Sequence, residues 1–471
     1  TKRMLRGKTN EELCVLPRLK KPAKLVTLRM LTRVATNLFM CQKNVILPIV
    51  LLRFMQISLK YGMSEYAPFA FATYALVLVS DGSIDEGYRF AELAIRVVDR
   101  ASPSVKTDVL CLVHMFLYHW KNPLRQSLEP LMETYNLGME CGNIEMGMLC
   151  AGVYCLMYTF SGLPLAHVAA DMKKFAQQML EYRQETVYTT ISPIWQYIMN
   201  LTGEPDDPLQ LTGEAMEQDE LYLRAIQSGN TATVRNVLRY RLMLALLFGD
   251  LQLAESMHLE IEKHEDDIQA HFAIAREVFA AGITYAGLGR SLGLAPYKRK
   301  ARKMLKTMEK WIKSGNVNCH DMLMLMRAEI ASMNRTADAR EVKGLYDQAI
   351  SSSSRSGYVH NAALACEKVA EFFRTRNDYY WAEEYLNKAH DYYGQWNAWS
   401  KVRELERVHP SLGQKNGDGG SVRSGSLQGR TRFKRSTSLK HAAIKFRRRV
   451  SDPTGVKVVQ KPGFSSANSY H

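Results

Sequence analysis

The sequence predicts an all-α fold, a solenoid of helical hairpins, and three observations carry that prediction. Small residues recur at fixed spacing: Ala370, Ala382 and Ala389 are twelve and seven residues apart, and Ala75, Gly87 and Ala94 repeat the interval. Turn signals recur along the chain, with runs of about 12–20 residues between them, the length of helices. Long alternating runs of Val, Ile and Thr, the signature of half-buried strands, are missing.

The small residues sit where two antiparallel helices must cross closely, since a larger side chain would push the backbones apart. Val369, Phe373 and Leu386 are the larger apolar residues expected to fill the groove beside them. This is the skeleton of a tetratricopeptide-type hairpin, a unit of about 34 residues that cannot bury a core alone and must stack on its neighbours. The repeat extends upstream. Val342–Ser351 (VKGLYDQAIS) echoes Ala382–Asp391 (AEEYLNKAHD) at an offset of 40, and LMRAEIAS from Leu325 echoes ALACEKVA from Ala363 at an offset of 38. The two-residue difference falls in a loop.

In chain order, residues 1–25 are basic, carry Pro17 and Pro22, and read as irregular. Residues 26–202 read as a first sub-array of repeats and 209–408 as a second, with roughly eighteen helices in all. The turns between them include Asp81-Gly82-Ser83, Lys121-Asn122-Pro123, Gly249-Asp250 and Arg376-Asn377-Asp378. The strongest internal break is TGEPDDP, Thr202–Pro208. Residues 411–471 turn Gly-, Ser-, Lys- and Arg-rich with little apolar content, and read as a disordered basic tail.

Charge follows the same division. The chain of 471 residues carries +15, but residues 411–471 hold thirteen Lys/Arg against Asp418 and Asp452 (+11), and residues 1–33 hold ten against Glu11 and Glu12 (+8). The remainder is 15 − 11 − 8 = −4, so the body is mildly acidic and the high isoelectric point belongs to the two ends. The eight cysteines include no CxxC and mostly lie in apolar helical pattern. They read as reduced thiols of a cytosolic or nuclear protein, with a cytoplasmic location expected. No apolar run reaches the about 20 residues of a membrane span, and no secretory signal is visible. A chain beginning at Thr1 suggests a fragment or an incomplete gene product.

Chemistry-bearing motifs are weak. There is no GxxxxGK[ST], and Gly287-Leu288-Gly289 with Gly293 lacks the preceding strand of a phosphate loop. No HRD or DFG of a protein kinase occurs. His258, His264 and His271 do not share a helical face, so a metal site is not expected, and His114 and His119 read as core histidines. No catalytic residue, cofactor or metal is expected. The helix from Tyr297 is more informative: Ala301, Met304, Leu305, Met308, Trp311 and Ile312 form one apolar stripe, and eight Lys/Arg cover the rest. It reads as a solvated surface helix or a docking face for an acidic partner. In the tail, RRRVS and RSTS place Ser451 and Ser438 after basic residues, as candidate phosphoacceptors for basophilic kinases.

The C-terminal repeats resemble a known family. AEI (Ala328–Ile330), LYDQAI (Leu345–Ile350), ALACEKVAEFF (Ala363–Phe373) and AEEYLNKAHDYYGQWNAWSKVREL (Ala382–Leu405) are similar to the helical-repeat region of the large predicted, signal-transducing-type ATPases found in multidomain hybrid signalling kinases. That family closes its array with a Tyr, then W-G-A-x-x-K, then a Leu. Tyr393, Trp396, Ala398, Lys401 and Leu405 match, and Asn397 stands in place of the Gly. The early strings Tyr61–Leu78 and Ser83–Arg100 also resemble the family's first repeats, so the likeness spans about residues 44–408.

The family's ATPase, sensor and kinase domains are not in this chain, so the resemblance implies the repeat architecture and a signalling context, not the activities. The expected function is a non-catalytic protein-interaction and regulatory module, with a protein partner, such as an ATPase or kinase domain, in cis or in trans. The alternative is a stand-alone repeat adaptor whose basic tail binds anionic membrane or nucleic acid by charge.

Overall fold

The computed structural model describes residues 1–41, 45–264 and 270–414, which belong to one compact unit. The expected tail from 415 onward, with Ser438 and Ser451, lies outside the described residues. Among those residues every regular element is helical, and the one β-type pairing is a single bridge between Arg18 and Met63.

The helices in order are α1 (Lys2–Leu5), α2 (Asn10–Cys14), α3 (Pro22–Met40), α4 (Leu47–Tyr61), α5 (Ala67–Ser80), α6 (Ile84–Val97), α7 (Pro103–Leu112), α8 (Leu128–Cys141), α9 (Ile144–Phe160), α10 (Leu165–Glu181) and α11 (Glu185–Thr202). After an irregular stretch come α12 (Gln218–Ser228), α13 (Thr231–Phe248), α14 (Leu251–Ile261), α15 (Ala273–Leu292), α16 (Ala295–Lys313), α17 (His320–Ser332), α18 (Ala339–Ser356), α19 (Val359–Arg374), α20 (Tyr379–Trp396), α21 (Trp399–Val408) and α22 (Ser411–Gln414).

The basic N-terminus is not irregular. It holds α1, α2 and the start of α3, because Thr9 accepts from the Glu12 amide and Glu12 returns a carboxylate to the Thr9 amide, a complete capping box. The segment is pinned at Gly62, where a Cβ would lie 2.0 Å from the Pro17 carbonyl oxygen. Gly62 also takes φ +102, a conformation that favours glycine.

Consecutive helices pair as hairpins, and the odd-numbered helices α5 to α19 also touch their next-but-one neighbours in an unbroken row. That second contact makes the arrangement a solenoid: an inner row of odd helices carries an outer layer of even ones. Composition follows position. In α5, twelve of fourteen residues are buried, and in α15 sixteen of twenty, Arg276 and Glu277 among them, so these helices are enclosed on every side. The outer α16 buries only three of nineteen, Ala301, Met304 and Met308, all on its expected stripe.

The expected break at Thr202–Pro208 is the start of a longer irregular stretch between α11 and α12. It is an ordered loop. Gln196 of α11 accepts from the Ala215 amide at 3.0 Å and donates to the Thr212 carbonyl at 3.2 Å, and Asn200 donates to the Pro208 carbonyl at 3.2 Å. The helices on either side pack directly, α11 against α13 and α21.

Candidate functional site

All six small residues are buried: Ala75, Gly87 and Ala94 in the packed pair α5 and α6, and Ala370, Ala382 and Ala389 in the packed pair α19 and α20. Gly87 shows why size matters: an added Cβ would meet Val79 Cγ2 at 2.5 Å and the Ala75 carbonyl at 3.0 Å. These residues set the spacing of the scaffold and present nothing to solvent.

The array-closing motif is also interior. Glu367 of α19 accepts from Tyr393 at 2.7 Å and from Lys401 at 2.6 Å, one carboxylate holding α20 and α21 together. Lys401 is almost wholly buried, with its ammonium 5.5 Å from the Phe248 ring centre of α13. Trp396 stacks on His360 at 5.1 Å between ring centres, and Ala398, fully buried, caps α21. Burial and the Glu367 carboxylate push the Tyr393 phenol well above its ordinary range. The motif therefore locks the last hairpin through Glu367, while the ring nitrogens of Trp396 and His360 are buried without hydrogen-bond partners among the described residues.

Two more inner helices carry the same device. Glu277 of α15 holds Arg235 and Arg239 of α13, at 3.3 and 2.9 Å. Glu329 of α17, wholly buried, takes Arg290 at 3.2 Å through both oxygens and accepts from Tyr346 of α18. Arg290 continues to Glu371 at 3.1 Å, and Glu371 takes Lys368 at 2.7 Å. Removing one partner of such a pair would strand a buried charge.

Sequence reasoning did not reach the seam where the row curls back on itself. Asn318, almost fully buried, uses all four of its hydrogen-bonding positions. It donates to the carbonyls of His119 and Asn122 at 2.7 and 2.8 Å, and accepts from the Leu124 amide at 3.1 Å and the Tyr358 hydroxyl at 2.8 Å. Trp120 donates to the Ala270 carbonyl at 3.1 Å, and Arg125 donates to the carbonyls of Ser161 and Gly357, each at 2.7 Å. These contacts join residues 118–125 to residues far along the chain, and no short-range pattern marks them. The only local signal is an Asn beside apolar neighbours in VNC (Val317–Cys319).

One surface stands apart from this saturated interior. On α16, Arg299, Arg302, Lys303, Lys306 and Lys310 share one helical face. All five are exposed, and none has an ion-pair partner among the described residues. The flanking Lys300 pairs with Glu255 at 3.4 Å, and Arg327 of α17 with Glu309 at 2.8 Å. An apolar cavity of about 160 Å³ lies between α9, α11 and α13, lined by Leu149, Val187, Ile191 and Tyr240, with Arg239, Thr190 and His271 also in its wall.

No family model matches the chain. A stretch of 183 residues, 37% of the chain, is 26% identical to hybrid signal transduction histidine kinase G of Dictyostelium discoideum, and it spans 5% of that protein's length. Among solved structures, a circular tandem repeat protein with novel repeat topology and enhanced subunit contact surfaces aligns over 84% of this chain and 99% of its own. It does so at 14% identity and a TM-score of 0.18, too loose a superposition to inform the fold. The chain is thus an all-α helical-repeat protein with a partial similarity to a signalling kinase. No helix among the described residues is long and apolar enough to cross a membrane.

Proposed function

We propose that the chain is a non-catalytic interaction and regulatory module of a signalling protein, similar to the repeat arm of the hybrid kinases, and that α16 is the face that takes its partner. The observation carrying this reading is a contrast between interior and surface charge. The interior cations Arg235, Arg239, Arg290, Lys368 and Lys401 are paired with carboxylates, and the buried Arg276 is held by Asn361, while five cations on one outer helix have no ion-pair partner among the described residues. A partner segment with carboxylates on one helical face would complement them and displace no existing pair. The partner proposed is an acidic helix of an ATPase or kinase domain, in cis or in trans.

The test is titration of the full chain with a synthetic amphipathic helix carrying glutamates on one face, followed by calorimetry. Expected is micromolar binding that weakens as salt rises, and at least about a tenfold loss in Arg302→Glu/Lys303→Glu/Lys306→Glu. Equal affinity in the triple variant overturns the assignment of the face. ATP hydrolysis by the purified chain overturns the non-catalytic reading.

A further inference from the structure

The first hairpin carries a second unmatched surface, of different chemistry. From Leu13 to Ser64 the sequence holds nine Lys/Arg and no Asp or Glu. The outer side of α3 exposes Val26 (56%) and Met30 (66%), with Val34 one turn on, and Arg29 and Arg33 stand among them. The turn leading into α4 exposes Val45 (81%) and Ile46, and the first turn of α4 exposes Ile49 (66%). At the other end of α3, the ammonium groups of Lys21, Lys24 and Lys60 crowd over the single Tyr61 ring, at 5.4, 5.4 and 5.5 Å from its centre. Three cations around one ring hold a concentrated positive potential with no carboxylate in the segment to relieve it.

We propose that this hairpin face docks on an anionic phospholipid surface. The Lys21/Lys24/Lys60 cluster with Arg29 and Arg33 would take headgroup phosphates, and Val26, Met30, Val34 and Ile49 would enter the acyl boundary. Lipid fits better than a protein partner because the charge is extended and of one sign: no Asp or Glu occurs from Leu13 to Ser64, and the acids within range of Arg29 and Arg33 are Glu65, next in sequence, and the buried Asp108. An extended negative plane requires such a surface, whereas a protein partner requires only local complementarity. This surface lies within residues 21–60, whereas the sequence reading made the basic tail the one route to membranes.

The test is co-sedimentation of the full chain with phosphatidylcholine vesicles, with and without phosphatidylserine. Every substituted position is exposed, and circular dichroism melting of each variant confirms folding. Expected is binding that requires phosphatidylserine and falls about tenfold or more in Arg29→Glu/Arg33→Glu, at about 1 kcal/mol per charge near the surface. The variant Val26→Ser/Met30→Ser/Val34→Ser keeps every charge, tail included, and is expected to lose binding by about fivefold or more. Unchanged partition in the serine variant overturns the proposal and leaves vesicle binding to charge elsewhere. If the same variant instead abolishes self-association in sedimentation velocity while its partition is unchanged, the face belongs to a second helical hairpin, and the lipid assignment is likewise overturned.

Discussion

The hairpins α5–α6 and α19–α20 share one register and differ in what surrounds it. Ala75, Gly87 and Ala94 superpose in sequence on Ala370, Ala382 and Ala389 at a constant offset of 295. Under that offset, Glu367 corresponds to Ala72, Lys368 to Thr73 and Tyr393 to Val98. Both sets are buried. The first hairpin is held by shape and apolar contact, with Tyr74 on Phe90 at 4.8 Å and Phe54 on Phe69 at 5.4 Å. The second surrounds the same crossing with a wired set of Glu, Lys and Tyr. The crossing geometry thus needs only the small residues, and each end of the array secures its outer packing by a different force.

The largest effect is expected from cutting the wiring. Glu367→Gln keeps the shape but leaves Lys401 buried beside a neutral amide. The expected loss is about 3–5 kcal/mol of stability, the usual consequence of orphaning a buried charge. Ala72→Ser, at the corresponding position of the first hairpin, is expected to cost far less, since its hydroxyl can bond the preceding turn as Thr73 does to the Phe69 carbonyl at 2.8 Å. Urea denaturation of the two variants checks the pair. Similar losses in both would break the comparison.

Next in size is the response to acid. Burial pushes His114 down to about 4 and His119 to about 3. His114 Nδ1 lies 3.0 Å from Ser127 Oγ, and His119 Nε2 faces the Ala270 carbonyl at 2.9 Å. Both are neutral when folded and take protons on unfolding. Their contribution is therefore complete above the ordinary histidine value near 6.5 and is lost as pH falls from there toward about 4. By about pH 5 each would cost about 2 kcal/mol. Asp108, raised by burial to about 6, works in the opposite direction between its ordinary carboxyl range and 6 and offsets part of the loss. His360, in the second hairpin, is also pushed well down by burial and by Arg276 and Arg125. Midpoint urea concentrations across pH should fall on acidification, and His114→Asn should flatten the slope.

A smaller effect separates sterics from propensity at the crossing. Gly87→Ala adds a better helix former, worth about 1 kcal/mol, but its Cβ collides with Val79 and the Ala75 backbone. Overpacking of about 1–3 kcal/mol outweighs that gain, so a net loss of about 1 kcal/mol is expected by thermal melting. A stabilised variant would mean that the α5–α6 crossing has slack.

How much of this was visible in the sequence divides along the same line. The small-residue register, the absence of strands and the apolar stripe of α16 are periodic and local, and Ala301, Met304 and Met308 lie buried as the pattern implied. The repeated strings around Glu329 and Glu367 were legible as repeats, but their locks were not. Whether a glutamate in an apolar helix is buried depends on a cation supplied from 34 to 39 residues away, Lys401 for one and Arg290 for the other. The N-terminal capping box was present as Thr9-x-x-Glu12 and was masked by the prolines and lysines around it. Asn318 could not be found at all, because its four partners come from chain segments up to 199 residues apart that meet only when the row curls round.

The smallest expected effect sharpens the contrast between wired interior and unmatched surface. Lys303→Glu/Lys306→Glu reverses two charges on α16, a helix whose packing rests on Ala301, Met304 and Met308. Neither lysine gives up an ion pair among the described residues, so the change in stability should stay within about 0.5 kcal/mol. It should even be slightly favourable at low salt, since each new glutamate stands one turn from a remaining cation, Glu at 303 from Arg299 and Glu at 306 from Lys310. Set beside Glu367→Gln, a double charge reversal that leaves the melting curve in place would show that α16 keeps its cations for a reason other than folding. A loss of several kcal/mol would instead make them part of the scaffold and remove α16 as a docking face.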